Sequence, residues 1–168
     1  MVVACEQKCI MAGLGDVHVS DDPYVLLECL GLGSCIGLCI FDPIARVAGM
    51  AHIVLPESNR GGSTNLPGKF ADTAVPMLIE GMMRKGASRS RMVAKMAGGA
   101  QMLQALAGGS ELDMGAKNIK MTIRALDKDG IKLVASDTGG NRGRSVWLEV
   151  SSGKVMVRVI GSTPMELK

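Results

Sequence analysis

The stretch from Val25 to Phe41, VLLECLGLGSCIGLCIF, constrains the fold more than any other part of the sequence. It is the longest apolar run, but it contains Glu28 and three glycines, and it is shorter than the roughly 20 residues that a membrane-spanning helix needs. Residues typical of strands and turns predominate in it. The stretch therefore predicts two buried strands, over residues 24–30 and 35–41, joined by a glycine-rich bend, and no membrane insertion.

The rest of the chain adds further short strands and two helices. Strands are predicted over residues 2–12, 16–19, 47–55, 91–100, 131–136, 145–150 and 154–160. Helical periodicity of apolar residues occurs over about residues 70–85 and 116–128. This order predicts a single α+β domain over residues 1–168, in which mixed or antiparallel β-sheets pack together and the two main helices cover one face, an α/β/β layering.

Cysteine usage and the start of the chain bear on its location. The five cysteines are an odd number, and Glu6 and Lys8 interrupt the first apolar residues, so the pattern of a secretory leader is absent from this segment. We therefore expect a cytoplasmic protein with reduced thiols. A net charge of only +3 gives little basic surface for binding phosphates, and one Trp, one Tyr and two Phe give few aromatic rings for stacking on bases. The composition therefore disfavours nucleic acid as a partner.

The glycine-rich bend, GLGSCIGLC over residues 31–39, raises two cofactor alternatives that its spacing disfavours. Its glycines read G-x-G-x-x-x-G and precede a strand-like segment, whereas a dinucleotide loop has G-x-G-x-x-G and opens a helix. Cys35 and Cys39 are four residues apart, which in a strand separates them by about 13 Å, too far to share one metal ion. The sequence therefore predicts no cofactor and no metal.

A cysteine nucleophile is the functional alternative that the bend leaves open. Cys35 directly follows Gly33 and Ser34, where backbone amides can point outward and a substrate can approach closely. His52 lies in a strand that we expect to pair, through the Asp42-Pro43 turn, with the strand that follows Cys35, so it is the candidate base. A buried core histidine remains the alternative for His52, and Cys39 is predicted to be an inert small core residue.

Six motifs, in order along the chain, resemble the CheD family of chemoreceptor glutamine deamidases. They are LGLGSCIGLCIFDP, VAGMAHIVLP, GKFADTAVPML, AKMAGGAQM, MGAKNI and DTGGNRGRSV. The similarity extends from about Gly15 to Ile160. It implies an enzyme that converts receptor glutamines to glutamates, with Cys35 as nucleophile, His52 as base and a thioester intermediate; some members also hydrolyse receptor glutamyl methyl esters. Backbone amides near Gly33 to Cys35 and the Ser34 hydroxyl are then the candidate oxyanion donors.

The resemblance also implies binding partners for this protein. The expected partners are the cytoplasmic helices of methyl-accepting chemoreceptors and the phosphatase CheC. The predicted receptor-facing rim consists of the loop at residues 58–69, the turn at residues 97–102 and Phe70.

The family has a catalytic threonine six residues before the nucleophile, and here Cys29 occupies that position. A thiol is a much weaker hydrogen-bond partner than a hydroxyl. Either another group therefore orients His52, or the catalytic triad of the family is reduced here to the pair of Cys35 and His52.

Two other functions remain as alternatives. One is an adaptor that binds CheC or receptors and has weak catalysis because of Cys29. The other is a thiol redox sensor that uses several of the five cysteines. The DTGGNRGRS segment has two interpretations of equal weight. One is a structural contact between Asp137 and Arg144, and the other is a role in substrate binding.

Overall fold

Two five-stranded sheets and two α-helices make up the fold. The structure is a computed structural model, and it describes residues 7–58, 65–102 and 113–168. The helices are α1 (Ala71–Arg84) and α2 (Met114–Lys128). The strands are β1 (Lys8–Met11), β2 (Val17–Ser20), β3 (Val25–Leu32), β4 (Ile36–Asp42), β5 (Val47–Ile53), β6 (Val93–Gly98), β7 (Lys132–Thr138), β8 (Arg144–Glu149), β9 (Val155–Val159) and β10 (Met165–Glu166).

Both sheets contain parallel and antiparallel neighbours. The first sheet has the order β1-β3-β8-β9-β10, and the second has the order β2-β5-β4-β6-β7. The pairs β1–β3 and β6–β7 are parallel, and the other pairs are antiparallel. The predicted pairing of β4 with β5 through the Asp42-Pro43 turn is confirmed, and β8 and β9 form an antiparallel pair.

The core is divided into two layers. One apolar cluster lies between the helices and the second sheet, and it includes Leu38, Ile40, Leu78 and Leu126. The other lies between the two sheets, and it includes Leu27, Met50 and Val146 among its buried residues. Helices on one face of a sheet whose other face packs on a second sheet form the α/β/β arrangement that the sequence predicts, so the predicted fold class is confirmed.

The stretch that constrains the fold, Val25 to Phe41, forms β3 and β4, which belong to different sheets. Its glycine-rich bend therefore carries the chain from one sheet to the other. Gly31 has a φ of +67°, a backbone conformation that side chains disfavour, and this explains a glycine at the start of the bend. Among the helices of the described residues, none is long and apolar enough to cross a membrane.

Candidate active site

Cys35 lies at the end of the bend between the two sheets, directly before β4. Its side chain is half-buried and packs against the apolar cluster between the sheets. Burial raises the pKa of the Cys35 thiol above its ordinary value, although a hydrogen bond from the backbone amide of Cys35 itself lowers it in part. A thiol with a raised pKa is mostly protonated near neutral pH, so its use as a nucleophile requires a base.

The carbonyl groups of three consecutive residues, Gly33, Ser34 and Cys35, are hydrogen-bonded toward the second sheet and α2. The carbonyls of Gly33, Ser34 and Cys35 accept hydrogen bonds from Ala100 N at 2.8 Å, Asn118 Nδ2 at 2.8 Å and Gly99 N at 2.8 Å, respectively. In a planar trans peptide the N–H points opposite to the C=O. The amides of Ser34 and Cys35 therefore point away from these partners, which is the orientation that an oxyanion site requires.

Glycines allow this close packing around the bend. A Cβ on Gly98 would lie 2.1 Å from the Cys35 carbonyl oxygen, and a Cβ on Gly115 would lie 2.3 Å from the carbonyl oxygen of Gly99. The first contact belongs to the end of β6 and the second to the first turn of α2. Only residues without a side chain let the strand, the turn and the helix approach one another at this distance.

His52 lies on β5, directly opposite Gly37 of β4, and its side chain is 4% exposed. Its Nδ1 atom is 3.0 Å from the carbonyl oxygen of Ala12. A carbonyl can only accept a hydrogen bond, so Nδ1 carries the proton and Nε2 of the neutral ring has a free lone pair. Nε2 is buried and has no hydrogen-bond partner among the described residues. The ring is thus held in the tautomer that a general base needs.

Cys35 and His52 face the same layer of the molecule. Met50, two residues before His52, belongs to the cluster between the sheets, and side chains two residues apart on a strand share a face. Cys35 packs on that same cluster. No hydrogen bond joins these two described side chains, since His52 Nε2 has no partner. Catalytic hydrogen bonds are often long in ligand-free enzymes and shorten when substrate binds, so the arrangement is compatible with a cysteine–histidine pair.

Cys29 is buried on β3, where it pairs with Val146 across the sheet. Its side chain lies beside Gly37, because a Cβ on that glycine would be 3.5 Å from the Cys29 Cβ. Burial, followed by the nearby Cys39 and Cys35 thiols, raises the pKa of Cys29 strongly. Cys29 does not hold either ring nitrogen of His52, because Nδ1 is bound to Ala12 and Nε2 is unpartnered.

The other residues expected at the site surround the bend or the end of β5. Gly33 is covered by Met102, whose Cγ would lie 3.1 Å from a Cβ on this glycine. Phe70 is the N-cap residue of α1 and forms a β-bridge with Leu55, three residues beyond His52, with Lys69 Nζ at 5.8 Å from its ring centre. Of the loop predicted to face a receptor, residues 59–64 lie outside the described residues.

The DTGGNRGRS segment has the structural contact that the sequence allows. Arg144 is buried, and its guanidinium donates two hydrogen bonds to Asp137 Oδ1, at 2.9 and 3.0 Å. It also donates to the carbonyls of Gly139 and Arg142. These contacts hold the two sides of the loop together, which favours the interpretation of the segment as a structural contact.

Two groups that hold the site were not singled out from the sequence. The Ala12 carbonyl is a backbone atom, and no side-chain pattern could identify it. Asn118 lies in the MGAKNI motif, and its position on the helix could have identified it. Asn118 and the buried Thr122 are polar residues on the face of α2 that packs into the core. A polar side chain inside a core needs hydrogen-bond partners, and Asn118 finds them on Ser34 and Val54.

Comparison with known proteins yields one consistent family. A family model described as CheD chemotactic sensory transduction matches residues 54–159. The chain is 45% identical to the "Probable chemoreceptor glutamine deamidase CheD" of Symbiobacterium thermophilum, over 92% of this chain and 94% of the relative. It is 46% identical to the "Chemoreceptor glutamine deamidase CheD" of Thermotoga maritima, over 89% of this chain and 90% of the relative. A relative with the same "Probable" name from Desulforamulus reducens is 42% identical, over 91% and 92% of the two chains.

Proposed function

Because this chain belongs to the CheD family, we propose that it is a chemoreceptor glutamine deamidase, which converts glutamine side chains of chemoreceptors to glutamate. Within this chain, the proposal rests on the tautomer of His52 and on the hydrogen bond that fixes it. Its Nδ1–H is committed to the Ala12 carbonyl, and its Nε2 lone pair is free in the layer that Cys35 faces. A base in this tautomer can take the proton of the thiol.

The proposed reaction begins when His52 Nε2 takes the proton from Cys35 Sγ. The thiolate attacks the carboxamide carbon of the bound glutamine, and the carbonyl oxygen becomes an oxyanion that the amides of Ser34 and Cys35 stabilise. The protonated His52 then gives its proton to the nitrogen, the C–N bond breaks and ammonia leaves, which produces a thioester on Cys35. The raised pKa of the Cys35 thiol makes the proton transfer to His52 a required step.

Water completes the cycle. His52 Nε2 takes a proton from the water molecule as its oxygen attacks the thioester carbon, and the C–S bond breaks. The proton passes to the Cys35 sulfur, which restores the thiol and leaves a glutamic acid side chain that loses its remaining proton to the solvent and becomes a carboxylate. A glutamyl methyl ester would follow the same steps with methanol in place of ammonia as the leaving group, so methylesterase activity belongs to this proposal as a second reaction.

The proposed partners follow from the same family membership. The substrate is the helical cytoplasmic part of a methyl-accepting chemoreceptor, which places the reaction in the cytoplasm, and CheC is the proposed regulatory partner. Met102 supports a receptor-facing rim beside the bend, because it is 56% exposed and packs against Gly33 next to the nucleophile. An exposed apolar side chain at this place is suited to contact the apolar positions of a helix.

The adaptor and redox-sensor alternatives gain no support from the site. A weakly catalytic adaptor was suggested because Cys29 replaces a threonine, but the Ala12 carbonyl supplies the orienting contact to His52. For the redox sensor, Cys29 and Cys39 are poorly suited as sensing thiols, because both are buried and burial raises the pKa of Cys39 to about 12.

The experiment that tests the proposal uses the full chain and a purified receptor cytoplasmic fragment. We expect mass spectrometry to find the mass gain of Gln to Glu at specific receptor positions, and Cys35→Ala and His52→Gln to abolish it. Cys9→Ser, at an exposed cysteine of β1, is the matched control and should remain active. Deamidation that persists in Cys35→Ala would refute the mechanism, and receptor binding without deamidation by the unmodified chain would favour the adaptor.

A further inference from the structure

Asn118 connects the two segments that carry the candidate catalytic residues. It lies in the second turn of α2 and is fully buried. Its Nδ2 atom donates one hydrogen bond to the Ser34 carbonyl at 2.8 Å and another to the Val54 carbonyl at 2.9 Å. Ser34 immediately precedes the nucleophile, and Val54 lies two residues after His52. One side-chain amide thus bridges the nucleophile bend and the end of the strand that bears the base.

We propose that Asn118 is a positioning residue for the deamidation: it fixes the Ser34–Cys35 peptide so that the Cys35 amide faces the reacting carbonyl, and it holds the nucleophile bend beside the strand of His52. The inference rests on the proposed function. It concerns a residue outside the cysteine–histidine pair, one that acts on the reaction only through the backbone that it holds.

The direction of the Cys35 amide follows from the hydrogen bond to Ser34. The Ser34 C=O and the Cys35 N–H belong to one planar trans peptide and point in opposite directions. With its oxygen anchored on Asn118, this peptide presents its N–H on the other side, where it is available to an oxyanion. If this anchor is lost, only the neighbouring Gly33 and Cys35 carbonyls still hold the bend, and the Ser34–Cys35 peptide loses the contact that aligns its N–H with the reacting carbonyl.

The orientation of the Asn118 amide is fixed by its surroundings. Both hydrogens of Nδ2 are directed at carbonyl oxygens, whereas Oδ1 is buried and has no partner among the described residues. Rotation of the amide by half a turn would bring Oδ1 against two oxygens that also only accept. The site thus uses the two donors of this side chain, and a replacement that keeps its branched shape but removes the donors tests their effect.

The test compares Asn118→Leu with Thr122→Val as a matched control. Thr122 is one turn further along α2, is equally buried, and its hydroxyl has no hydrogen-bond partner within the described ranges. For both variants and the unmodified chain, kcat and KM are measured with a receptor cytoplasmic fragment. The pH profile of Cys35 alkylation by iodoacetamide is measured by peptide mapping, and urea unfolding shows that each protein is folded.

We expect Asn118→Leu to lower kcat by roughly 100- to 1000-fold, the range seen when an oxyanion donor is removed, with KM changed by less than about threefold. We also expect its alkylation profile to shift, because the bend that carries Cys35 is no longer held beside the strand of His52. Thr122→Val should match the unmodified chain in both measurements. A purely structural role would lower the folded fraction and leave the alkylation profile of the folded protein unchanged.

The inference is overturned if folded Asn118→Leu keeps the kcat and the alkylation profile of the unmodified chain. If Asn118→Leu does not fold, Asn118→Ser decides by the same two measurements, because its shorter side chain removes the bridge without adding bulk. The alkylation profile needs no receptor. An unmodified chain that does not deamidate would therefore refute the proposed function, while an unshifted profile would refute the role of Asn118 separately.

Discussion

Replacement of Gly98 by alanine should displace Cys35, the proposed nucleophile. Gly98 has a φ of +117°, a conformation that residues with a side chain rarely adopt, and such backbone strain costs about 1–3 kcal/mol. The added Cβ would lie 2.1 Å from the Cys35 carbonyl oxygen, and that oxygen belongs to backbone that cannot rotate away. The bend must shift, which breaks the 2.8 Å hydrogen bond from Gly99 N to this carbonyl and costs about another 1 kcal/mol.

We therefore expect Gly98→Ala to lower the free energy of unfolding by about 2–4 kcal/mol and to change the alkylation rate of Cys35 by about tenfold or more. Gly86→Ala is the matched control: its φ is +92° and a Cβ there would meet nothing within 4 Å, so it should show the backbone strain alone and leave Cys35 unaffected. Urea unfolding followed by the fluorescence of Trp147 measures the stability. Equal losses in the two variants, with unchanged alkylation of Cys35, would refute the reasoning.

Two further predictions concern Cys29 and Asp42. Cys29→Ala should keep kcat within about tenfold, because the Ala12 carbonyl holds His52; deamidation kinetics reduced more than about 100-fold would contradict this. Burial alone would raise the pKa of Asp42, but hydrogen bonds from Arg91 and backbone amides lower it to about 2. Because this pKa is depressed, its stabilisation is present above about pH 4 and is lost toward pH 2. Asp42→Asn should therefore cost about 2 kcal/mol in urea unfolding at pH 7 and about half as much at pH 3, which lies between the depressed and the ordinary pKa, and an equal cost at both would contradict it.

The layered fold could be predicted because its signals are local. Alternating apolar residues, the Asp42-Pro43 turn and two helical periodicities define the elements, and β4 and β5 pair through a tight turn. Boundaries were less predictable where a cap or a backbone conformation sets them. The second helix was expected from about residue 116 but begins at Met114, because the Asp113 side chain accepts a hydrogen bond from Ala116 N.

The contacts that organise the candidate site were not predictable because they join distant parts of the chain. His52 bonds to a residue 40 positions away, and Asn118 bonds to residues 84 and 64 positions away. Cys35 and His52 could be proposed from the sequence because thiols and imidazoles are few and their chemistry is distinctive. A carbonyl or a buried amide has no such signature, and its role depends entirely on what the fold brings near it.

These long-range contacts also explain how the site can accommodate Cys29 in a position where the family resemblance implies a threonine. The orienting acceptor for His52 is a main-chain oxygen, which is present whatever side chain occupies position 12. Ala12 is itself held by the hydrogen bond from its N–H to the Glu28 carbonyl at 2.8 Å, one residue before Cys29. The backbone of β3 therefore supports His52, the proposed base, because it holds Ala12 at the end of β1 beside the imidazole. A thiol at position 29 leaves that support intact, because packing between the sheets requires of it only volume and burial.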